Sequence, residues 1–172
     1  MSRQTEKTIL IMRHAKSSWS HPGLTDFDRP LNERGLRDAP RMGQYLKGLN
    51  LIPDQIFSSP AVRAKTTIEA VVHELDLDVN LIIWNKDLYF AGTASYINAI
   101  RSADEKSNIV MTVGHNPMSE DVLDLLSNNS VNARFVTAAI ACLKVNSSSW
   151  KEISYGQCDV KWIMSPKELQ SN

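Results

Sequence analysis

The sequence predicts a three-layer α/β/α domain with a mostly parallel central sheet and at least one antiparallel strand near the C-terminus. Two observations carry this expectation. From residue 8 to residue 127, short apolar runs alternate with longer stretches of helical spacing, and strand–helix alternation builds parallel sheets covered by helices. After residue 135 the rhythm changes. Three short segments then follow one another with little room for helices between them, which favours antiparallel pairing through tight turns.

"TILIM" (8–12) is short and wholly apolar, as a buried strand should be. "NERGLRDAPRMGQYLKGLN" (32–50) reads as a helix with Asn32 as N-cap and Leu36, Ala39, Gly43, Leu46 and Leu49 recurring near helical spacing. Pro40 lacks an N–H and predicts a bend there. "QIFSS" (55–59) is a strand ended by Pro60, and "AVRAKTTIEAVVHEL" (61–75) an amphipathic helix. "VNLIIW" (79–84) reads as a strand, and "GTASYINAIRSA" (92–103) as a helix with Thr93 as N-cap. "NIVMTVG" (108–114) is a strongly apolar strand; "PMSEDVLDLLS" (117–127) is a helix with proline in its first turn. "AAIACLKV" (138–145), "KEISYG" (151–156) and "DVKWIM" (159–164) complete the set as strands, before a "SPKELQ" tail with room for one helical turn.

A chain of 172 residues suits one domain, 1–172, with a substantial core. Its 19 basic and 19 acidic residues balance, so no global field draws it to nucleic acid or an anionic membrane. The apolar run near the N-terminus is five residues, too short for a signal-peptide core or a membrane span. Cys142 and Cys158 lack CxxC spacing, which predicts free thiols and a cytoplasmic setting.

The chemistry falls at strand ends. Arg13 and His14 follow the first strand, Arg63 lies just past the second, and His115 follows "IVMTVG". Ligands of parallel α/β sheets bind outside the carboxyl ends of the strands, so the topology gathers these four residues on one rim. Two arginines and two histidines there suit a dianionic phosphoryl group, with arginine supplying bidentate charge-assisted hydrogen bonds. No Walker-type glycine loop is present, so a nucleotide P-loop is excluded.

"RHAKSSW", "DFDRPLNERG", "SSPAVRAKTT" and "VGHNP", in that order, resemble the histidine phosphatase superfamily of RHG-type phosphatases and mutases. The closer likeness is to the small SixA-like phosphohistidine phosphatases, which carry RHA. The resemblance spans nearly the whole chain and implies a phosphoglycerate mutase-like fold with no metal or other cofactor. It also implies that His14 is the nucleophile, passing through a phosphohistidine intermediate, and that Arg13, Arg63 and His115 hold the phosphoryl oxygens. On this reading the nearby arginines keep His14 unprotonated.

Two departures from the larger enzymes bear on substrate. Ser20 follows Trp19 where phosphoglycerate mutases have asparagine, making Ser20, or Ser17 and Ser18, a candidate phosphate ligand. The segment "NKDLYFAG" (85–92) has Asp87 and Tyr89 where mutases place a glutamate general acid. An alcohol leaving group needs that proton, whereas phosphohistidine can depart as neutral imidazole. Between Pro60 and Asn80 there is room for one helix and no sugar-binding lid. Both points favour phosphohistidine on a protein, or a small phosphorylated substrate. The alternatives are a general phosphomonoesterase with Asp87 as acid, and a phosphohistidine-binding regulator with little turnover.

Other polar residues have simpler readings. Asp26 and Asp28 suit a turn or ion pairs to Arg29 or Arg34, and His21 and His73 suit the surface. Lys16 either raises the potential at the pocket mouth or stays solvated. The four tryptophans, Trp19, Trp84, Trp150 and Trp162, read as core or half-buried packing.

Overall fold

The computed structural model describes residues 5–169. Six strands form one sheet in the order β3-β2-β4-β1-β5-β6. These are β1 (Thr5–Arg13), β2 (Gln55–Ser58), β3 (Ile82–Trp84), β4 (Ile109–Gly114), β5 (Ile140–Ser147) and β6 (Asp159–Met164). β1 pairs in parallel with β4, and β2 in parallel with both β4 and β3. β5 runs antiparallel to β1 and to β6. The expected mixed sheet is therefore present, with one strand, β5, running against the other five.

β1 shows why the fold has three layers. Leu10 and Met12 pack with Met42, Leu46 and Ile68, from α1 (Glu33–Gly48) and α2 (Val62–Glu74). Ile9 and Ile11 point the other way, toward Tyr96 and Ile100 of α4 (Thr93–Arg101) and Val122 of α5 (Met118–Leu126). Successive strand residues face opposite sides, so an unbroken apolar run serves two cores.

Asn32 caps α1 as expected, its side chain accepting from the Gly35 N–H. The helix continues through Pro40 to Gly48, and its buried face is Gly35, Ala39, Met42, Gly43 and Leu46. Leu36 and Leu49 of the predicted stripe are exposed instead.

Four local expectations need correction. Val79–Leu81 is a 3₁₀ turn, because Asp78 caps it through the Asn80 N–H; only Ile82–Trp84 is strand. "KEISYG" is no strand: Ser149 caps a 3₁₀ turn at Trp150–Glu152, which buries Trp150. Gly92, not Thr93, is the N-cap of α4, its φ of 85° turning the chain into the helix. Pro117 is the N-cap of α5 rather than its first helical residue. The "DLYF" segment, unassigned from sequence, forms one helical turn, α3 (Asp87–Phe90). The tail forms the turn α6 (Pro166–Leu169), with Gln170 outside the described residues.

Trp19 also departs from expectation. It is 77% exposed and stacks beneath the Arg29 guanidinium, 3.5 Å from its ring centroid, instead of entering the core. Trp84 is exposed as well. No described helix is long and apolar enough to cross a membrane.

Candidate active site

The C-terminal ends of β1, β2 and β4 bring Arg13, His14, Arg63 and His115 together. His14 is fixed by its backbone, its N–H donating to the Gly114 carbonyl at 2.9 Å and its carbonyl accepting from Ala138 at 3.0 Å. Thr67 of α2 then accepts from the Ala15 N–H at 3.0 Å and donates to the Arg63 carbonyl at 2.6 Å. The "AVRAKTT" helix is thereby tied to the residue after His14.

His14 Nδ1 lies 2.7 Å from the Ala15 carbonyl. A carbonyl only accepts, so Nδ1 carries the proton and Nε2 presents its lone pair. Arg63 Nε donates toward that Nε2 at 3.4 Å, and the His14 and His115 rings are 5.1 Å apart. Burial is the main reason the His14 pKa falls, to about 3; the charges of Arg63 and Arg13 contribute less. A neutral ring follows, with desolvation rather than the arginine charges as its larger cause.

His115 is held from two sides. Its N–H donates to Tyr96 Oη at 3.0 Å, and Tyr96 donates to the Leu88 carbonyl at 2.7 Å. The Tyr96 hydroxyl lies against Gly114, where any Cβ would collide with it, so glycine is required immediately before His115. His115 Nε2 is 2.8 Å from Ser59 Oγ, which also accepts from the Ala61 N–H. Ser59 can donate to Nε2, which would leave the proton of a neutral His115 on Nδ1. Burial and, next, the charge of Arg63 lower the His115 pKa to about 4.

The Arg63 guanidinium is gripped by a residue that sequence reasoning left in a turn. Nη1 donates to the Asp26 carbonyl at 2.6 Å and Nη2 to its carboxylate at 3.0 Å. The same carboxylate takes Tyr89 Oη at 2.8 Å and Arg29 Nε at 3.1 Å. Burial alone would raise the Asp26 pKa, but the Tyr89 and Arg63 hydrogen bonds and the charges of Arg63 and Arg29 outweigh it, holding it below the usual value. The expected pair to Arg29 is thus present, and the link to Arg63 is additional. Asp28 accepts from Thr25 Oγ1 at 2.6 Å, as a turn residue does.

Arg13 Nη1 donates to the Phe135 carbonyl at 3.1 Å. Two buried nitrogens of the cluster, Arg13 Nε and His115 Nδ1, have no hydrogen-bond partner among the described residues. Buried polar groups are rarely left unpaired without a functional reason.

Ser20 is exposed and bonds Ser18 Oγ at 2.7 Å. Asp87 lines a groove with Asn85, Ser95 and Asn98, while Tyr89, two residues on, is the α3 side chain in the cluster. Lys16 sits at the mouth beside Arg13. Tyr89, Asp26, Ser59 and the Phe135 carbonyl were missed. Only Ser59 had a signal, as the serine beside the proline in "SSPAVRAKTT".

A parallel-sheet rim that gathers two arginines around two buried histidines suits a phosphoryl group, and the chain's relatives make it a phosphatase, a hydrolase of such groups. Residues 9–85 match the model of the histidine phosphatase superfamily, branch 1. A chloroplastic protein of Arabidopsis thaliana is 30% identical over 159 residues, covering 88% of this chain and 72% of its own. The phosphohistidine phosphatase SixA of Escherichia coli is 26% identical over 164 residues, 94% of this chain and 96% of its own. A structure of the protein histidine phosphatase SixA with tungstate superposes with a TM-score of 0.77 at 26% identity, covering 94% and 99% of the two chains. The chain belongs to the histidine phosphatase superfamily.

Proposed function

We propose that this single-domain protein, 1–172, hydrolyses phosphohistidine on a protein, through a covalent phosphohistidine at His14 and without a metal. The observation that carries the reading is the His14 Nδ1 bond to the Ala15 carbonyl at 2.7 Å, which aims an unprotonated Nε2 into the cluster. Nε2 attacks phosphorus in line; the N–P bond to His14 forms as the N–P bond to the substrate breaks. The departing imidazole leaves neutral, its far nitrogen already protonated. Water then attacks the phosphorus on His14, releasing phosphate, restoring the Nε2 lone pair and giving up one proton to solvent.

Arg13 and Arg63 balance the charge on the equatorial oxygens, and Nδ1–H of His115 donates to one of them. Fixed donors of this kind are each worth about 10²–10³-fold in rate. Asp26 is the carboxylate bonded into the cluster, and its lowered pKa keeps it ionised. It serves as an anchor for Arg63 and not as a proton donor, which fits a leaving group that needs no acid. The names of the SixA relatives favour the same substrate. A cytoplasmic setting belongs to this proposal, supported by two free, buried cysteines.

The test is phosphate release, in EDTA, from a phosphohistidine protein and from a phosphoserine peptide, each with wild type and His14→Ala. EDTA-resistant turnover of the first alone, abolished by the substitution, is the expected result. Equal turnover of both would make the protein a general phosphomonoesterase. Binding of phosphohistidine without turnover would make it a regulator.

A further inference from the structure

Beside the four-residue cluster, the same rim carries a groove that the proposed chemistry does not use. It starts at Arg13 and is lined by Lys16, Arg34, Arg134, Thr137 and Glu120. The cations come from three places: Lys16 follows β1, Arg34 opens α1, and Arg134 precedes β5. Glu120 is engaged, accepting from Asn116 Nδ2 and the Phe135 N–H, each at 3.3 Å. Arg34 is shared between Asp38 at 3.5 Å and Thr137 at 3.3 Å. Among the described residues, neither Lys16 nor Arg134 forms a salt bridge. In a chain of zero net charge, this is a local concentration of positive charge next to the site of reaction.

The shape selects among anions. Arg34, Val136 and Thr137 also line an adjoining hollow with Arg37, Lys167 and Asp38, whose carboxylate pairs with Arg34 and Arg37; cations outnumber it there, so the positive surface is elongated. A single small anion would fill one part of it. The ring of Phe135 is 1% exposed and gives no face on which a nucleobase could stack, as nucleic-acid grooves require. An extended peptide carrying carboxylates matches both the length and the charge, with arginine suited to bidentate carboxylate pairing.

We infer that this groove docks an acidic segment of the phosphoprotein substrate, next to its phosphohistidine; the inference rests on the substrate reading above. Exposed charges at a rim act mainly through encounter rate and salt dependence. The groove therefore sets which phosphoproteins are used and leaves the chemical step alone.

The experiment compares two phosphohistidine peptides of equal length, one flanked by Glu and Asp, the other by Gln and Asn. Both are assayed with wild type and with Lys16→Glu/Arg134→Glu. At low ionic strength wild type should favour the acidic peptide by about tenfold in kcat/KM, and by less than about twofold near 0.5 M salt, where the Debye length has shrunk. The double variant should lose the preference, its kcat/KM falling by more on the acidic peptide than on the neutral one and its kcat on the neutral peptide staying within about twofold. Equal kcat/KM for the two peptides in wild type, or a preference that the variant keeps, overturns the inference. Competitive inhibition by tripolyphosphate with no preference between peptides assigns the groove to a small polyanion and overturns it too. If neither peptide is hydrolysed while p-nitrophenyl phosphate is, the phosphohistidine reading is what has failed. Fluorescence anisotropy of the unphosphorylated acidic peptide then decides the groove. Salt-sensitive binding lost in the double variant supports docking, and equal binding to both proteins rejects it.

Discussion

Asp26 and Arg63 are joined twice, through the Asp26 carbonyl at 2.6 Å and its carboxylate at 3.0 Å, so that Arg63 turns its remaining Nε toward His14 Nε2. The loop that carries Asp26 is itself fastened to α2, where the Val62 N–H donates to the Phe27 carbonyl at 3.0 Å. On the proposed mechanism, the arginine that meets the phosphoryl group is held by a carboxylate already engaged by Arg63, Tyr89 and Arg29.

Asp26→Asn should separate aim from charge. The amide keeps an acceptor but loses a charge-assisted bond, worth about 1.5–3 kcal/mol, so kcat should fall by about tenfold. Inorganic phosphate should inhibit the variant at least as well as wild type, because a negative charge has left the site. Unchanged kcat would show that the Asp26 backbone carbonyl alone orients Arg63.

The ionisation of the two histidines has a pH signature. In the folded chain His14 titrates near 3 and His115 near 4, against an ordinary 6.5. Between pH 6.5 and about 4, the unfolded chain binds protons that the folded chain refuses. Stability therefore falls as pH falls through this window, by about 1.4 kcal/mol per pH unit for each histidine. Urea melts from pH 7 to 4.5 should show a shallower slope for His14→Gln than for wild type. NMR should find the His14 and His115 rings neutral from pH 7 to about 5.5; titration of either near 6.5 would contradict the burial argument.

The alternation of strands and helices and the convergence of Arg13, His14, Arg63 and His115 were legible because each depends on a periodic or positional rule. Apolar runs mark strands, and strand ends in a parallel sheet share a rim. The errors fall where a single side chain decides a local turn. Asp78 and Ser149 each cap a 3₁₀ turn that apolar content alone reads as strand. Asp26 and Tyr89 were illegible for a related reason. They lie 63 residues apart, on a loop and a four-residue helix with no period, and only the folded chain brings both to Arg63. Asp87 is the carboxylate of the expected segment, but Tyr89, two residues further along α3, is the side chain that reaches the cluster.

The position of His115 depends on close contact between Gly114 and Tyr96. Gly114→Ala puts a methyl into the Tyr96 hydroxyl, and overpacking of this kind costs about 1–3 kcal/mol. Tyr96→Phe instead leaves the His115 N–H and Leu88 carbonyl without their shared partner, a loss of about 1–3 kcal/mol. Thermal denaturation should show both variants destabilised. Gly114→Ala should also lose the greater share of activity, since it displaces backbone next to His115. Wild-type stability in both would mean that this contact does not position His115.

Leaving-group chemistry gives the sharpest separation between the phosphohistidine and phosphomonoester readings. The carboxylate bonded into the cluster, Asp26, is held ionised by Tyr89, Arg63 and Arg29 against the effect of burial, and Asp87 lines another groove. A positioned general acid is worth about 10²–10⁴-fold, and an enzyme without one must rely on the leaving group. Hydrolysis of phosphate esters should then slow steeply from p-nitrophenyl to phenyl to alkyl phosphate, as the leaving oxygen becomes more basic. Phosphohistidine should escape this penalty, since its imidazole departs without external protonation. Asp87→Asn should leave kcat/KM within about twofold on every substrate, because no general acid is being removed. Tyr89→Phe should lower kcat, because it takes a hydrogen bond from the Asp26 carboxylate that holds Arg63. A flat dependence on the leaving group that becomes steep in Asp87→Asn would identify Asp87 as an acid after all, and with it a phosphomonoesterase.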